Sequence, residues 1–297
     1  MTARPSNPPA TDLPSAVGPP VSVVILTLNE AVNLPATLRS CAWCDDIAVL
    51  DSGSADDTVK IAEDHGVATY INPFESFAKQ RNWAIDQIPL KHDWVFHLDA
   101  DEHFTPELVA EVRRCIAEAP EDVGGFHVPH RLMLHGHWLK RAGGYPVYQM
   151  RLFHKQRMRF IDHGHGQRED PSIKTQVITQ PYLHFAFNKG LDDWLVKHNR
   201  YARQEALQLA SSHGEKPRMS HLFARNPLLR RRALKALAYR LPGRASIRFW
   251  AIYLLQRGFL DGRAGYTYAR MMQTYEHMID LHRAALQHES PTDQPGS

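Results

Sequence analysis

Three acids crowd the end of one apolar run. In "WVFHLDADEHF", Trp94 to Phe104, the hydrophobic stretch ends at Leu98, and Asp99, Asp101 and Glu102 follow within four residues. Carboxylates this close repel one another unless a cation or a hydrogen-bonded ligand lies among them. Two earlier apolar runs also end in polar groups: Thr27, Asn29 and Glu30 after "VSVVIL", and Asp51, Ser52, Gly53 and Ser54 after "DIAVL". If the three runs are parallel strands, their carboxyl ends meet on one edge, where open α/β sheets bind ligands. An acidic edge accepts a phosphate only through a divalent cation. Mg2+ or Mn2+ takes oxygens from one or two carboxylates and completes its shell with phosphate oxygens. The Asp99-Ala100-Asp101 triplet therefore reads as a bridge from metal to diphosphate. The plainer reading is a pair of acids at the start of the helix that opens near Thr105. A dinucleotide site fits poorly, because no GxGxxG follows the first run, and no P-loop is present.

These groups need a frame. Val21 to Leu28 is almost wholly apolar and rich in β-branched residues, as a strand buried on both faces should be. A helical pattern follows through Leu34, Leu38 and Cys41. The plan repeats: a strand from Ile47 to Leu50, a helix whose start carries Asp56 and Asp57, a strand in "GVATYIN", a helix in "SFAKQRNWAIDQI", and a strand in "DWVFHL". Thr105-Pro106 then opens a helix with a cap and a proline at the first position. Such alternation predicts βαβ units and a parallel sheet. From Val123 the pattern changes, and "GGFHVPHRLMLHGHW" and "YQMRLFHK" read as strands of a mixed sheet. After Gly190 the chain turns helical, with Trp194, Leu195, Tyr201, Ala202, Ala206 and Leu209 on one face. Asn226-Pro227 starts a further helix, and a last one runs from about Gly262 to Gln287 with a Met-rich core stripe.

In this order, "VVILTLNE", "VLDSGSADDT", "AKQRNWAI" and "HLDADE" resemble the GT-A fold of family 2 glycosyltransferases. The later "RLFHK" and "GFLDGRAGY" resemble one branch, the lipopolysaccharide core β-1,4-glucosyltransferases. The resemblance covers about Val21 to Leu281. It implies an α/β fold with a mixed, mostly parallel sheet, flanking helices and a C-terminal helical appendage. It also implies a metal-dependent, inverting transfer of a sugar from a nucleotide diphosphate donor, UDP-glucose being one such donor, to a lipid-linked or lipopolysaccharide-type glycan. Thr27, Asn29, Ser52, Gly53 and Ser54 would line the nucleotide-sugar site. Glu30 and Asp51 would hydrogen-bond the nucleoside, Asp51 at the base, and Arg81 would face the nucleotide. Asp99 would touch ribose or metal, and Asp101 would bind the Mg2+ or Mn2+.

The base that removes the acceptor's proton is less defined. The branch carries a His-Glu pair after the RLF strand, whereas "FIDHGHGQRED" has His165 followed by Gly166. Asp162, His165 and Glu169 all remain open, with His165 also a candidate third metal ligand. His163 and His165 would share a face in a strand, and with His135 and His137 a zinc site is conceivable, although no closed N/S set is secured.

Composition narrows the setting. The chain has 297 residues, 43% of them hydrophobic, and three cysteines, too few for a disulfide framework. Cys41-Ala-Trp-Cys44 sits where a helix should end, a position that does not favour a thiolate. Residues 1–20 hold six prolines and no apolar core, as a disordered tail does. The expected division is a tail over 1–20, a catalytic domain over 21–187, a basic helical region over 188–287 and a second tail over 288–297. Net charge is only +3, but Lys216 to Leu260 carries eleven Lys or Arg residues and no acid. Such a block suits an anionic membrane surface, and no run is long enough to span one. The expected protein is cytoplasmic and peripheral on the inner face of the cytoplasmic membrane. Alternatives are a polyprenyl-phosphate glycosyltransferase and a non-catalytic sugar-nucleotide- or nucleic-acid-binding protein. Few aromatics interleave with the arginines, so nucleic acid is not the expected partner.

Overall fold

A computed structural model of the chain describes residues 19–163, 166–211 and 243–289. His165, residues 1–18 and 290–297 of the expected tails, the helix expected at Asn226 and residues 216–242 of the basic block lie outside the described residues. The chain divides into two compact units. One comprises Met1–Arg131 with Pro146–Asn188, the other Leu132–Tyr145 with Lys189–Ser297.

The first unit is built on the alternation visible in the sequence. Strands β1 (Val21–Thr27), β2 (Ile47–Asp51), β3 (Ala68–Ile71) and β4 (Trp94–Asp99) are separated by helices α1 (Leu34–Ser40), α2 (Thr58–Asp64) and α3 (Phe77–Gln87). All four strands are parallel, in the order β3-β2-β1-β4. The short β5 (Glu102–His103) and helix α4 (Pro106–Ala117) follow, and Thr105 caps α4 by accepting from the Leu108 amide at 3.2 Å. The mixed half then closes on β4. Strand β8 (Val147–His154) runs antiparallel to β4 and to β6 (Val123–Leu134). Beyond β6 come β12 (Tyr182–His184) and β5, while β11 (Lys174–Val177) pairs with β6 in parallel. The pair β9 (Phe160–His163) and β10 (Gly166–Glu169) forms a separate hairpin.

Core packing follows the strand period. Val21, Val23 and Ile25 of β1 join Leu34, Leu38, Leu108 and Val112 on the face covered by α1 and α4. Val24 points the other way and packs with Ala48, Leu50, Val95 and the α3 residues Ala78, Ala84 and Ile85. Cys41 ends α1 inside the first core, and burial pushes its thiol well above its ordinary range; Cys44 is pushed up to about 11 by the same cause. Both act as small apolar side chains.

In the second unit, β7 (His137–Trp138) folds back on the end of β6. The long helices α5 (Gly190–Ser211) and α7 (Gly262–Glu289) pack along each other through Trp194, Ala202 and Ala206 on one and Ala269 and Ile279 on the other. His282 of α7 also meets Asn199 Oδ1 of α5 at 2.9 Å. Between them lie α6 (Arg244–Trp250), a π turn (Ala251–Leu255) and a 3-10 turn (Gly258–Asp261). Arg244 is tied to Glu276 of α7. Among the described residues no helix is long and apolar enough to cross a membrane.

Leu98 is fully buried in β4, between β1 and β8. Leu98→Ala should cost about 3 kcal/mol through lost contacts and a residual cavity. Urea unfolding reads this directly, and a loss below about 1 kcal/mol would mean that β4 is not the centre of the core.

Candidate functional site

The register of the parallel strands decides what meets at their carboxyl ends. Thr27 lies opposite Asp51, and Leu26 opposite Asp99. Asp51 is fully buried, and its carboxylate serves the turn that follows it. It accepts from Gly53 N at 2.8 Å, Ser54 N at 2.7 Å, Ser54 Oγ at 2.5 Å and Thr27 Oγ1 at 2.7 Å. These four bonds match the roughly four acceptor positions of a carboxylate. Gly53 sits at φ +96, which lets consecutive amides turn onto one carboxylate. Asn29, at φ 55, continues the lacing: its amide donates to Ser54 Oγ and its Oδ1 accepts from Ala55 N. Glu30 accepts from Asn33 Nδ2 at 2.8 Å. The two strand-end loops thus form one hydrogen-bonded rim.

The "KQRN" segment of α3 ties three pieces to that rim. Gln80 donates to Ser52 Oγ at 3.2 Å, and Asn82 exchanges hydrogen bonds with both backbone groups of Phe160 on β9. Arg81 is 4% exposed and reaches Asp99 at 3.5 Å, with its guanidinium 5.8 Å from the Phe160 ring centre. Burial, with repulsion from Arg151, lowers its pKa to about 10. Arg81 therefore sits beneath Asp99 instead of lining an open edge.

The crowded acids find cations within the chain. Arg151 of β8, 1% exposed, donates from Nη2 to Asp99 Oδ2 at 2.7 Å and to Glu102 Oε1. Glu102 also accepts from the Asp99 amide at 3.0 Å. Desolvation opposes the charge on Asp99, but Arg151 and then Arg81 outweigh it and hold this carboxyl well below the usual range. Glu102 is fully buried, and burial pushes it up to about 7 despite Arg151. Asp101 faces a different partner. The pairing of β12 with β5 sets His184 opposite Glu102, and its Nε2 lies 3.5 Å from Asp101 Oδ2. Burial disfavours the imidazolium, yet Asp101 first and then Glu102 and Asp99 push it up to about 9.

This arrangement bears on a cation. Among the described residues no cluster of three or more His, Cys, Asp or Glu side chains is set to hold one. Asp99 is engaged by two arginines. Asp101 offers carboxylate oxygens at this corner, with the His184 imidazolium beside it, whose other ring nitrogen is buried without a hydrogen-bond partner. One carboxylate fits a cation whose shell a bound diphosphate completes, not a dedicated protein cage.

The same network leads to a cavity of about 290 Å3 lined by His127, Tyr148, Gln149, Phe160, Arg168 and Glu169, among others. Tyr182 makes the connection: its hydroxyl accepts from Arg151 Nε and donates to Gln149 Oε1, both at 3.3 Å. Glu169 Oε1 lies 3.4 Å from His127 Nε2. Asp162 stands exposed on the β9–β10 hairpin, across from Gln167. Arg151, Tyr182, His184, His127 and Gln149 were not singled out by sequence reasoning. The available signals were a charge inside an apolar strand for Arg151 and a histidine inside "YLHFAF" for His184.

Comparison with known proteins fixes the family. Residues 22–171 match the family described as Glycosyl transferase family 2. The chain belongs to that family. Its fold is the GT-A fold, as the sequence resemblance implied. A relative from Rhizobium meliloti (strain 1021), the lipopolysaccharide core biosynthesis glycosyltransferase LpsC, is 28% identical over 70% of this chain and 78% of its own. An uncharacterized glycosyltransferase of Rickettsia felis is 25% identical over 64% of this chain and 70% of its own. Among solved structures, S. aureus TarS 1-349 in complex with UDP overlaps 89% of this chain and 91% of its own, at 14% identity and a TM-score of 0.43. The protein is thus a family 2 transferase with a relative in lipopolysaccharide core synthesis.

The buried ion cluster of this family 2 chain makes a coupling prediction. Arg151→Met leaves Glu102 without its cation and Asp99 with Arg81 alone, and should cost about 3–5 kcal/mol. Arg151→Met with Glu102→Gln should recover a large part of that loss, because one buried charge is gone. A double-mutant cycle in urea measures the coupling, and strictly additive losses would refute it.

Proposed function

We propose that this protein is an inverting, metal-dependent glycosyltransferase that moves a sugar from a UDP-type donor to a lipid-linked or lipopolysaccharide-type glycan. The observation that carries this reading is the continuous path from the strand-end acids through Arg151, Tyr182 and Gln149 to the cavity holding Glu169. It supports a nucleotide diphosphate at the acids and an acceptor in the cavity beside them.

The nucleoside lies against the rim formed by Thr27, Asn29, Glu30 and the Asp51–Ser54 turn. Asp51 acts chiefly by holding that turn in shape. Asp101 would hold a Mg2+ or Mn2+, and when bound this ion supplies positive charge to the departing diphosphate. Arg151 and Arg81 keep Asp99 ionised and fixed at the same corner. The acceptor occupies the cavity with one hydroxyl toward Glu169. As the acceptor oxygen bonds to the anomeric carbon, Glu169 takes the hydroxyl proton and the carbon–oxygen bond to the diphosphate breaks, its electron pair leaving with the diphosphate. His127 holds the Glu169 carboxylate in place. Glu169 is favoured over Asp162 because it lines the cavity and has a partner that orients it. The LpsC relative supports a core-glycan acceptor. A nucleotide-sugar donor and a lipid-anchored acceptor together imply work at the cytoplasmic face of a membrane.

Thermal shift with a panel of nucleotide sugars, with and without Mn2+, tests the donor site. A ligand at a hundred times its Kd stabilises the folded state by about 2.7 kcal/mol. Asp101→Asn should fold and lose the Mn2+-dependent part of the shift. Equal shifts with and without Mn2+ in the unsubstituted protein would remove the metal from the proposal.

Glu169→Gln should keep donor binding and lower turnover by roughly 10²–10⁴-fold. Near-normal turnover in this variant, with the loss appearing in Asp162→Asn or His165→Asn, would move the base to that residue.

A further inference from the structure

An apolar face on the second unit is used by nothing described so far. Ile247, Trp250 and Leu254 recur at helical spacing along α6 and the π turn and are 45%, 53% and 50% exposed. Leu255 beside them is 83% exposed, and Phe259 and Leu260 of the 3-10 turn are 46% and 59% exposed. The face is continuous: Tyr253 packs edge-on against both Phe259 and Tyr266, and Phe249 beneath it touches Trp250, Tyr253 and Tyr266. Soluble proteins seldom leave so many large apolar side chains together in water.

The charges around this face indicate its partner. Arg257 and Arg263 are exposed and have no carboxylate partner among the described residues. Asp261, the acid nearest the turn, is directed inward, where its Oδ2 accepts from the amides of Arg141 and Ala142. Arg244 is taken up by Glu276. In the sequence the face belongs to Lys216–Leu260, which holds eleven cations and no acid. An apolar patch that carries an indole, bordered by arginines without a carboxylate partner among the described residues, matches the boundary between anionic headgroups and acyl chains.

We propose that the face formed by α6, the π turn and the 3-10 turn docks this protein on an anionic phospholipid bilayer, with Trp250, Leu254, Leu255, Phe259 and Leu260 entering the interface and Arg257 and Arg263 meeting the headgroups. Docking is independent of the transferase reading, since it is measured without donor or acceptor.

Co-sedimentation of the full chain with vesicles tests it. One set is phosphatidylcholine, the other phosphatidylcholine mixed with phosphatidylglycerol, each at low and high salt. The protein should favour the anionic vesicles, and salt should weaken that preference. Trp250→Ser/Leu254→Ser/Leu255→Ser alters only exposed positions and should keep its melting temperature while losing binding by at least about tenfold. Arg257→Asn and Arg263→Gln should each lower anionic binding about fivefold; asparagine is chosen because residue 257 has φ 60. Three outcomes overturn the proposal. The protein stays in the supernatant with both vesicles; or the apolar variant binds as well as the unsubstituted chain, so that charge outside this face is responsible; or the chain elutes as a dimer that the apolar variant converts to monomer, so that a second copy covers the face.

Discussion

One cation inside the sheet governs the catalytic unit. Arg151 is almost wholly excluded from water, and a lone guanidinium there would be very costly. It is tolerated because Asp99 from the end of β4 and Glu102 from β5 both reach it, and the Tyr182 hydroxyl takes its Nε. Each partner comes from a different strand. The charge is therefore compensated only when β4, β8, β12 and β5 are all in register. A slip of one residue in β8 would turn Arg151 to the opposite face and leave two carboxylates facing each other. The cluster specifies the mixed half of the sheet more sharply than apolar packing alone, which tolerates exchange among residues of similar size.

The same cluster reinterprets the three crowded acids. Their repulsion demands positive charge, and the sequence alone points to a divalent ion. The fold supplies three cations of its own: Arg151 for Asp99 and Glu102, Arg81 for Asp99, and His184 for Asp101. A divalent ion held there as proposed would join a corner already close to neutral, and its charge would remain available to a diphosphate. Asp51 makes a related point. As a polar residue at a strand end it reads as a ligand for the base, yet its acceptor positions are filled by the turn it organises.

Local signals carried the fold well. The apolar runs of β1 and β4, the proline and threonine at the start of α4, and the periodicity of α5 and α7 each lie within a few turns of chain, so the sequence displays them directly. The strand-end motifs were legible for the same reason. The residues that complete the site were not. His184 belongs to a strand of three residues, too short to show a period, and it gains meaning only from pairing with β5. Glu102 looks like the third member of a solvated acidic group but is fully buried. Glu169 was one of three equal candidates for the base, and only the cavity and His127 separate it from Asp162.

The pairing of β12 with β5 has a consequence for how the molecule comes into being. The hydrogen-bonded rim uses residues 27–58, which are close in sequence and can organise early. The acidic corner, proposed to meet the diphosphate, needs residues 99–102, 151 and 182–184, and so closes the longest loops among the described residues of the unit. A chain emerging from the ribosome can shape this rim well before it can neutralise its own acids. Synthesis halted before Tyr182 would leave Arg151 and Glu102 without their last strand, and chemistry would begin only once nearly the whole catalytic unit had been made.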